Sequence, residues 1–386
     1  MTSNSFRFIR ASGRALALAG ASFLGACFSA AAVQVAPYFY VGSGGSLNHA
    51  KQDAGLDSAI LAFIVTDGRC IVDPRFNRML EDARRFVASG GNLVISLGGA
   101  EGTYVEVACS DAQLLNVLEA VMQRSGTRRL DWDLEGRQLA NENGGSRRTR
   151  VLRELQAKYP DLHVTFTLSG LPDGLSHESM KVLRTTLEGG ARIDRVNVMT
   201  MSLGTKYLEQ LSPSSLAYAS ILSFRAAANQ LASLYPAKSR PQLHAMMGIT
   251  PMIGTNDDGT IFTLADAQEL ADYVRHQRIG FISYWAYQRD RAQSRGGIRP
   301  LVYYSGVAQS NQQFYKLFRS AKATTAVEND YPSWEEGQLY RAGVIVNYAR
   351  RLYVAKYANP GYIPTFSTYY WEPYDCEAAS RCKVQQ

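Results

Sequence analysis

Apolar positions along this 386-residue chain follow two alternating rhythms. Short, nearly continuous apolar runs recur at 36–41, 59–65, 92–97, 130–135, 163–168, 195–201, 244–249 and 280–287. Runs of that length predict buried strands. Between them lie amphipathic stretches with 3–4 spacing at 73–88, 111–123, 146–158, 176–189, 214–234 and 264–278, the period of a helix with one apolar face. In the first of these, Phe76, Met79, Leu80, Ala83 and Phe86 share a face, and Asp73-Pro74 supplies an N-cap followed by Pro at the first helical position. Strand–helix alternation carried through eight strands predicts an α/β fold, a (β/α)8 TIM barrel over 33–320. A doubly wound sheet is the competing arrangement, but no GxGxxG follows the first strand.

Both rhythms stop after residue 320. Residues 321–330 are small and polar and predict a linker. Residues 331–386 lack a long helical period and are rich in Tyr, with turn residues at Pro360-Gly361 and Pro364. That composition predicts a small all-β module, too thin in core to hold without staples such as a disulfide.

The N-terminus changes the charge balance. Residues 1–32 carry Arg7, Arg10 and Arg14, an apolar 15–26 stretch and Ala30-Ala31-Ala32, the layout of a cleaved export signal. Leu24-Gly25-Ala26-Cys27 also resembles a lipobox, so a lipoprotein anchored through Cys27 stands as an alternative to simple export to the periplasm or medium. Loss of the three arginines lowers the formal charge from +7 to +4. With no basic run of five, nucleic-acid binding is not expected. No stretch reaches 18 apolar residues, so no transmembrane segment is expected. In an exported chain, Cys70, Cys109, Cys376 and Cys382 suggest disulfides, and Cys70–Cys109 with Cys376–Cys382 is the most local of the three pairings. The five histidines are scattered and no CxxC or HExxH occurs, so neither a metal site nor a cofactor is expected.

The segment Leu130-Asp131-Trp132-Asp133-Leu134-Glu135-Gly136 concentrates the chemistry. On a strand, Asp131, Asp133 and Glu135 share one face and Leu130, Trp132 and Leu134 the other. In a barrel the apolar face packs on helices and the acids line the interior, Glu135 nearest the C-terminal mouth. Three inward carboxylates are costly unless they share protons or hold a ligand. Their mutual repulsion raises a pKa, which suits a general acid.

This segment resembles the D-x-D-x-E end of the active-site motif of family 18 glycoside hydrolases, the chitinases and their relatives. Further segments resemble that family in the same order: Ser96-Leu97-Gly98-Gly99-Ala100, Val196-Asn197-Val198-Met199-Thr200-Met201, Thr250-Pro251-Met252-Ile253-Gly254-Thr255-Asn256-Asp257, and Ser283-Tyr284-Trp285-Ala286-Tyr287-Gln288-Arg289-Asp290. The resemblance implies that Glu135 protonates the leaving glycosidic oxygen and that Asp133 holds the substrate's acetamido group while Asp131 tunes it. It implies retaining, substrate-assisted hydrolysis of β-1,4-N-acetylglucosamine linkages in chitin or chito-oligosaccharides. Trp285 would floor the cleaved sugar, with Tyr38, Gly98, Met199, Met201 and Ser202 around it.

Two positions depart from the family. Arg128-Arg129 stand where Asp-Gly usually opens the motif. Ser202-Leu203 stand where bacterial relatives commonly carry Asp-Tyr, which removes an acid and a tyrosine from the acetamido site; Tyr207 is a nearby hydroxyl that could substitute. A catalytically impaired chitin-binding protein is therefore one alternative, and an endo-β-N-acetylglucosaminidase acting on N-glycans another. The C-terminal pattern of Trp334, Tyr340, Gly343, Val346, Tyr348, Tyr353-Val354-Ala355-Lys356-Tyr357, Pro360-Gly361 and Tyr370-Trp371 is similar to chitin-binding modules of carbohydrate-binding families 5 and 12. It implies sugar contacts from Trp334, Tyr357 and Trp371, with Trp334 and Tyr357 exposed and the module tethered near the catalytic domain. The partner implied is chitin or another N-acetylglucosamine polysaccharide, met by a monomer.

Overall fold

A computed structural model describes Met1 and residues 33–211, 215–293, 301–322, 331–349 and 351–374. The export signal, most of the 321–330 linker, Cys376 and Cys382 lie outside the described residues.

The first strand, β1, is in two stretches, Gln34–Val35 and Tyr38–Tyr40. Its second stretch pairs in parallel with β2 (Ser58–Ile64), and its first with β8 (Phe281–Ile282). Between these, β3 (Asn92–Gly98), β4 (Arg129–Leu134), β5 (His163–Leu171), β6 (Arg195–Met199) and β7 (Met247–Thr250) follow in chain order, all parallel. The sheet thus closes on its own first strand as an eight-stranded barrel. Among the described residues, the helices that alternate with the strands are α1 (Leu47–Ala54), α2 (Pro74–Ala88), α3 (Asp111–Ser125), α4 (Glu142–Lys158), α5 (His177–Glu188), α6 (Leu216–Leu234), α7 (Leu264–His276) and α8 (Gln313–Arg319), with shorter helical turns at the strand exits.

The capping residues act as their types dictate. The Asp73 carboxylate accepts from the Arg75 amide ahead of Pro74, and Ser110 with Gln113 closes a capping box on α3. Two expectations need correction. His244 does not open a strand: Arg240–Met246 is a short helix with a Ser239–Gln242 capping box, and β7 starts at Met247. Helix α4 begins at Glu142, ahead of the expected Ser146, because Asn141 caps it through the Gly144 amide. Helices α1 and α8 are new; each is too short to show a period in sequence.

Strand alternation sorts the core into two volumes. Leu130, Trp132 and Leu134 face outward into the helix layer and are fully buried there. Inside the barrel, β1, β2, β3 and β8 contribute Tyr38, Ile60, Ala62, Val94 and Phe281 as an apolar cluster. The interior of β4–β7 is polar instead, with Asp131, Asp133, Thr165, Thr167, Asn197 and Thr250 all buried.

The C-terminal module is a three-stranded antiparallel sheet of β9 (Ile345–Tyr348), β10 (Arg351–Ala355) and β11 (Trp371–Pro373). It is docked rather than loosely tethered. Trp334 is 1% exposed, against the expectation that it faces solvent. Its indole stands edge-on to Tyr348 at 5.2 Å, and its carbonyl lies 2.9 Å from His276 Nε2 at the end of α7. Glu336 accepts from Arg225 on α6 and, at 3.3 Å, from Arg240. Phe366 packs on Tyr218 at 4.8 Å, and Thr365 bonds Glu269. Trp371 is equally buried, against Tyr340. Both tryptophans are core, and the thin module completes its core on α6 and α7. Among the described residues of the module the exposed aromatics are Tyr357 (51%), Tyr362 (42%) and Tyr369 (66%), with Tyr357 and Tyr369 stacked at 5.0 Å.

Truncation separates these roles. Trp334→Ala should cost about 3–5 kcal/mol in urea unfolding, as for other large core aromatics, and Tyr357→Ala less than about 0.5 kcal/mol. The opposite ranking would contradict the burial pattern.

Candidate functional site

The polar half of the barrel interior is organised around one carboxylate. Asp131, fully buried on β4, accepts from Ser96 Oγ at 2.7 Å, Thr167 Oγ1 at 2.7 Å and Tyr38 OH at 3.2 Å. These donors come from β3, β5 and β1. The network continues around the barrel, since Asn197 on β6 donates to Thr167 Oγ1 at 3.1 Å and Thr250 on β7 donates to Asn197 Oδ1 at 2.9 Å. Such donors lower the cost of a buried charge. At the barrel base Arg195 stacks on Phe281 at 4.2 Å, and its charge also favours the Asp131 carboxylate. Burial nonetheless dominates and pushes Asp131 up to about 6.

One turn toward the mouth, Asp133 is also buried, and its Oδ1 has no protein partner. Burial, then the charges of Glu135 and Asp131, raise its pKa well above the carboxylate range. A raised pKa favours the protonated form of Asp133, whose carboxyl is hydrogen-bonded to that of Glu135. Glu135, half-buried at the mouth, is raised by burial. The three acids run from a hydroxyl-solvated carboxylate at depth to a hydrogen-bonded Asp133–Glu135 pair facing the opening.

Backbone geometry at β3 and β4 holds this arrangement in place. A Cβ on Gly98 would meet the Asp133 carbonyl at 2.1 Å, so only glycine lets the strands approach there. The Tyr104 hydroxyl lies 2.9 Å from the Gly99 carbonyl and 3.0 Å from that of Asp133, and accepts from the Glu135 amide at 3.0 Å. Tyr104 carries no motif or spacing signal and was invisible in the sequence.

Above the acids opens a cleft of about 980 Å³. It is lined by Asp133, Glu135, Tyr38, Trp285, Met199, Met201 and Ser202, so the structure brings together nearly all the expected site residues. Gly98 is not among the lining residues and acts through the backbone approach described above. Trp285 stacks on Phe63 at 5.7 Å with planes 12° apart, and Tyr38 and Tyr40 flank it. An indole held on an aromatic bed presents a flat apolar floor. Thr66, Asp67, Arg69, Ile71 and Glu101 form a wall on the exits of β2 and β3. The Cys70–Cys109 disulfide ties these two exits together. The Ser202-Leu203 departure also takes shape: Ser202 has φ +50°, Leu203 turns into the core, and Tyr207 does not line the cleft.

No family model matches the chain. A probable bifunctional chitinase/lysozyme of Escherichia coli (strain K12) is 31% identical over 211 residues, 52% of this chain and 24% of that protein. Endochitinase 11 of Metarhizium anisopliae is 30% identical over 211 residues, 52% of this chain and 40% of that protein. The matched stretch thus spans well under half of each curated relative. Active domain 2 of the chitinase from Pyrococcus furiosus superposes with TM-score 0.65 and 28% identity, covering 77% of this chain and 99% of that domain. A second structure of that enzyme's catalytic domain gives TM-score 0.63 and 27% identity, again over 77% of this chain and 99% of that domain. The similarity is to glycoside hydrolases, in sequence over about half the chain and in fold over the barrel.

The buried acid carries a pH dependence of stability. Asp131 binds its proton more tightly folded, at about 6, than at its ordinary value of 3.8. Its contribution is fully present below the unfolded value and is lost as pH rises through about 6. By itself this amounts to at most about 3 kcal/mol. Asp131→Asn should flatten the fall in urea-unfolding free energy between pH 4 and pH 7; an unaltered slope would contradict this account.

Proposed function

We propose that the protein hydrolyses β-1,4-linked N-acetylglucosamine chains, in chitin or chito-oligosaccharides, with retention of configuration. The observation that carries this reading is the buried Asp133 beside Glu135 on one face of β4, set under an open cleft with an indole floor. Glu135 donates its proton to the glycosidic oxygen as the bond to the anomeric carbon breaks. The substrate's own acetamido oxygen forms the new bond to that carbon, giving an oxazolinium ion. Asp133 accepts from the acetamido N–H and, sharing its proton with Asp131 beneath it, stabilises the positive charge that develops on the oxazolinium ring. The Glu135 carboxylate then removes a proton from the water that opens the ring, and the cycle closes. A nucleophilic protein carboxylate is not required. A sugar ring lies with its C–H face on Trp285.

The similarity to chitinases supports the substrate class, and the export-type N-terminus supports action on a polymer outside the cytoplasm. The stacked pair Tyr357–Tyr369 is proposed as the polymer-facing surface of the module, in place of the buried Trp334 and Trp371. We take the working unit to be a monomer. One observation favours a second reading, a chitin-binding protein without turnover: Ser202 and Leu203 bring neither a charge nor a phenol to the acetamido site. Loss of a donor to a developing charge commonly costs a few kcal/mol in barrier.

The two readings separate on one substitution. Glu135→Gln should reduce release of oligosaccharides from colloidal chitin by at least about 10³-fold and leave retention on chitin intact. Release that is absent in the native protein and unchanged by the substitution would favour the binding reading.

A further inference from the structure

The acid missing from the β6 exit has a counterpart on the neighbouring strand. The β6 exit is clamped to the turn that follows β7: the Ser202 amide donates to Asn256 Oδ1 at 3.1 Å, and the Gly204 amide to Asp258 Oδ2 at 2.7 Å. Both clamping residues face away into these bonds, and Asp257 between them lines the catalytic cleft together with Glu135, Met201 and Ser202. Arg289 holds the stem of this turn, donating to the Thr255 carbonyl at 2.6 Å and the Ile253 carbonyl at 3.1 Å. Its buried guanidinium interacts favourably with the Asp257 charge. The turn is therefore a rigid mount for one solvent-facing carboxylate.

We propose that Asp257 is the positioning partner of Glu135, supplying from the β7 exit the negative charge that Ser202 does not supply from the β6 exit. The proposal rests on Glu135 being the proton donor. A carboxylate on the same cleft wall favours the protonated form of Glu135, which burial raises first and the Asp257 charge raises further. The other groups facing Glu135 are Asp133 from β4 and, from the β3 exit, the Tyr104 hydroxyl and Glu101. The charges on the β2 wall are already paired as Asp67–Arg69 and Asp73–Arg75.

The test uses the full-length protein, with Glu135 followed by carboxyl-carbon NMR and assigned by its loss in Glu135→Gln. In Asp257→Asn the Glu135 midpoint should fall by about 0.5–1 pH unit. The alkaline limb of kcat on chitin hexaose should move down by the same amount, with KM within about twofold of native. Asp257→Glu should restore both. An unmoved Glu135 midpoint would overturn the proposal, as would a pH-independent loss of kcat with a raised KM, the mark of a direct substrate contact. If the native protein releases no product, the proton-donor reading fails on its own assay, and the NMR titration still decides whether Asp257 acts on Glu135.

Discussion

The burial of the Asp131 carboxylate is the constraint on which the rest of the site depends. A charge at that depth is untenable without donors, and the barrel provides three hydroxyls from three different strands. Those hydroxyls in turn require that β1, β3, β4 and β5 keep one register, because a slip of one residue would turn each of them outward. The Asn197–Thr250 extension ties β6 and β7 into the same register. A buried polar network of this kind contributes specificity of arrangement more than net stability.

From that anchor the chemistry of the mouth follows by distance from solvent. Asp131 has three hydroxyl donors, whereas burial and the charges of Glu135 and Asp131 raise Asp133, which has one oxygen unpartnered. Its carboxyl is hydrogen-bonded to Glu135, where the cleft opens. The apolar cluster of β1, β2, β3 and β8 fills the opposite side of the barrel and raises Trp285 as a floor. One half of the interior is thus polar and carries the acids while the other is apolar and carries the indole.

Much of this was legible in the sequence because short continuous apolar runs mark buried strands and period-2 alternation puts the acids of β4 on one face. All eight strands, the inward acids of β4 and Trp285 could be read from short motifs. What escaped lies in contacts between distant segments. Tyr104 sits on a loop whose only order is three-dimensional, Ser96 and Asp257 fall in motif segments that give them no role, and Thr167 looks like an ordinary strand residue until it meets Asp131. Trp334 was misread for a related reason. In sequence it stands in a small module where exposed aromatics are common, but the barrel helices cover it, so the aromatics left at the surface are tyrosines.

The docked module also alters how substrate capture is pictured. Packing through Trp334, Glu336 and Phe366 gives the Tyr357–Tyr369 surface a fixed relation to α6 and α7, so any polymer held there is presented by a rigid body rather than by a mobile tether. The central claim remains the chemistry at β4, and it is tested most directly by the anomeric form of the product. Proton NMR during early hydrolysis of chitin hexaose should show the β-anomer of the new reducing end before mutarotation. Initial release of the α-anomer would contradict the substrate-assisted role assigned to Asp133 and Glu135.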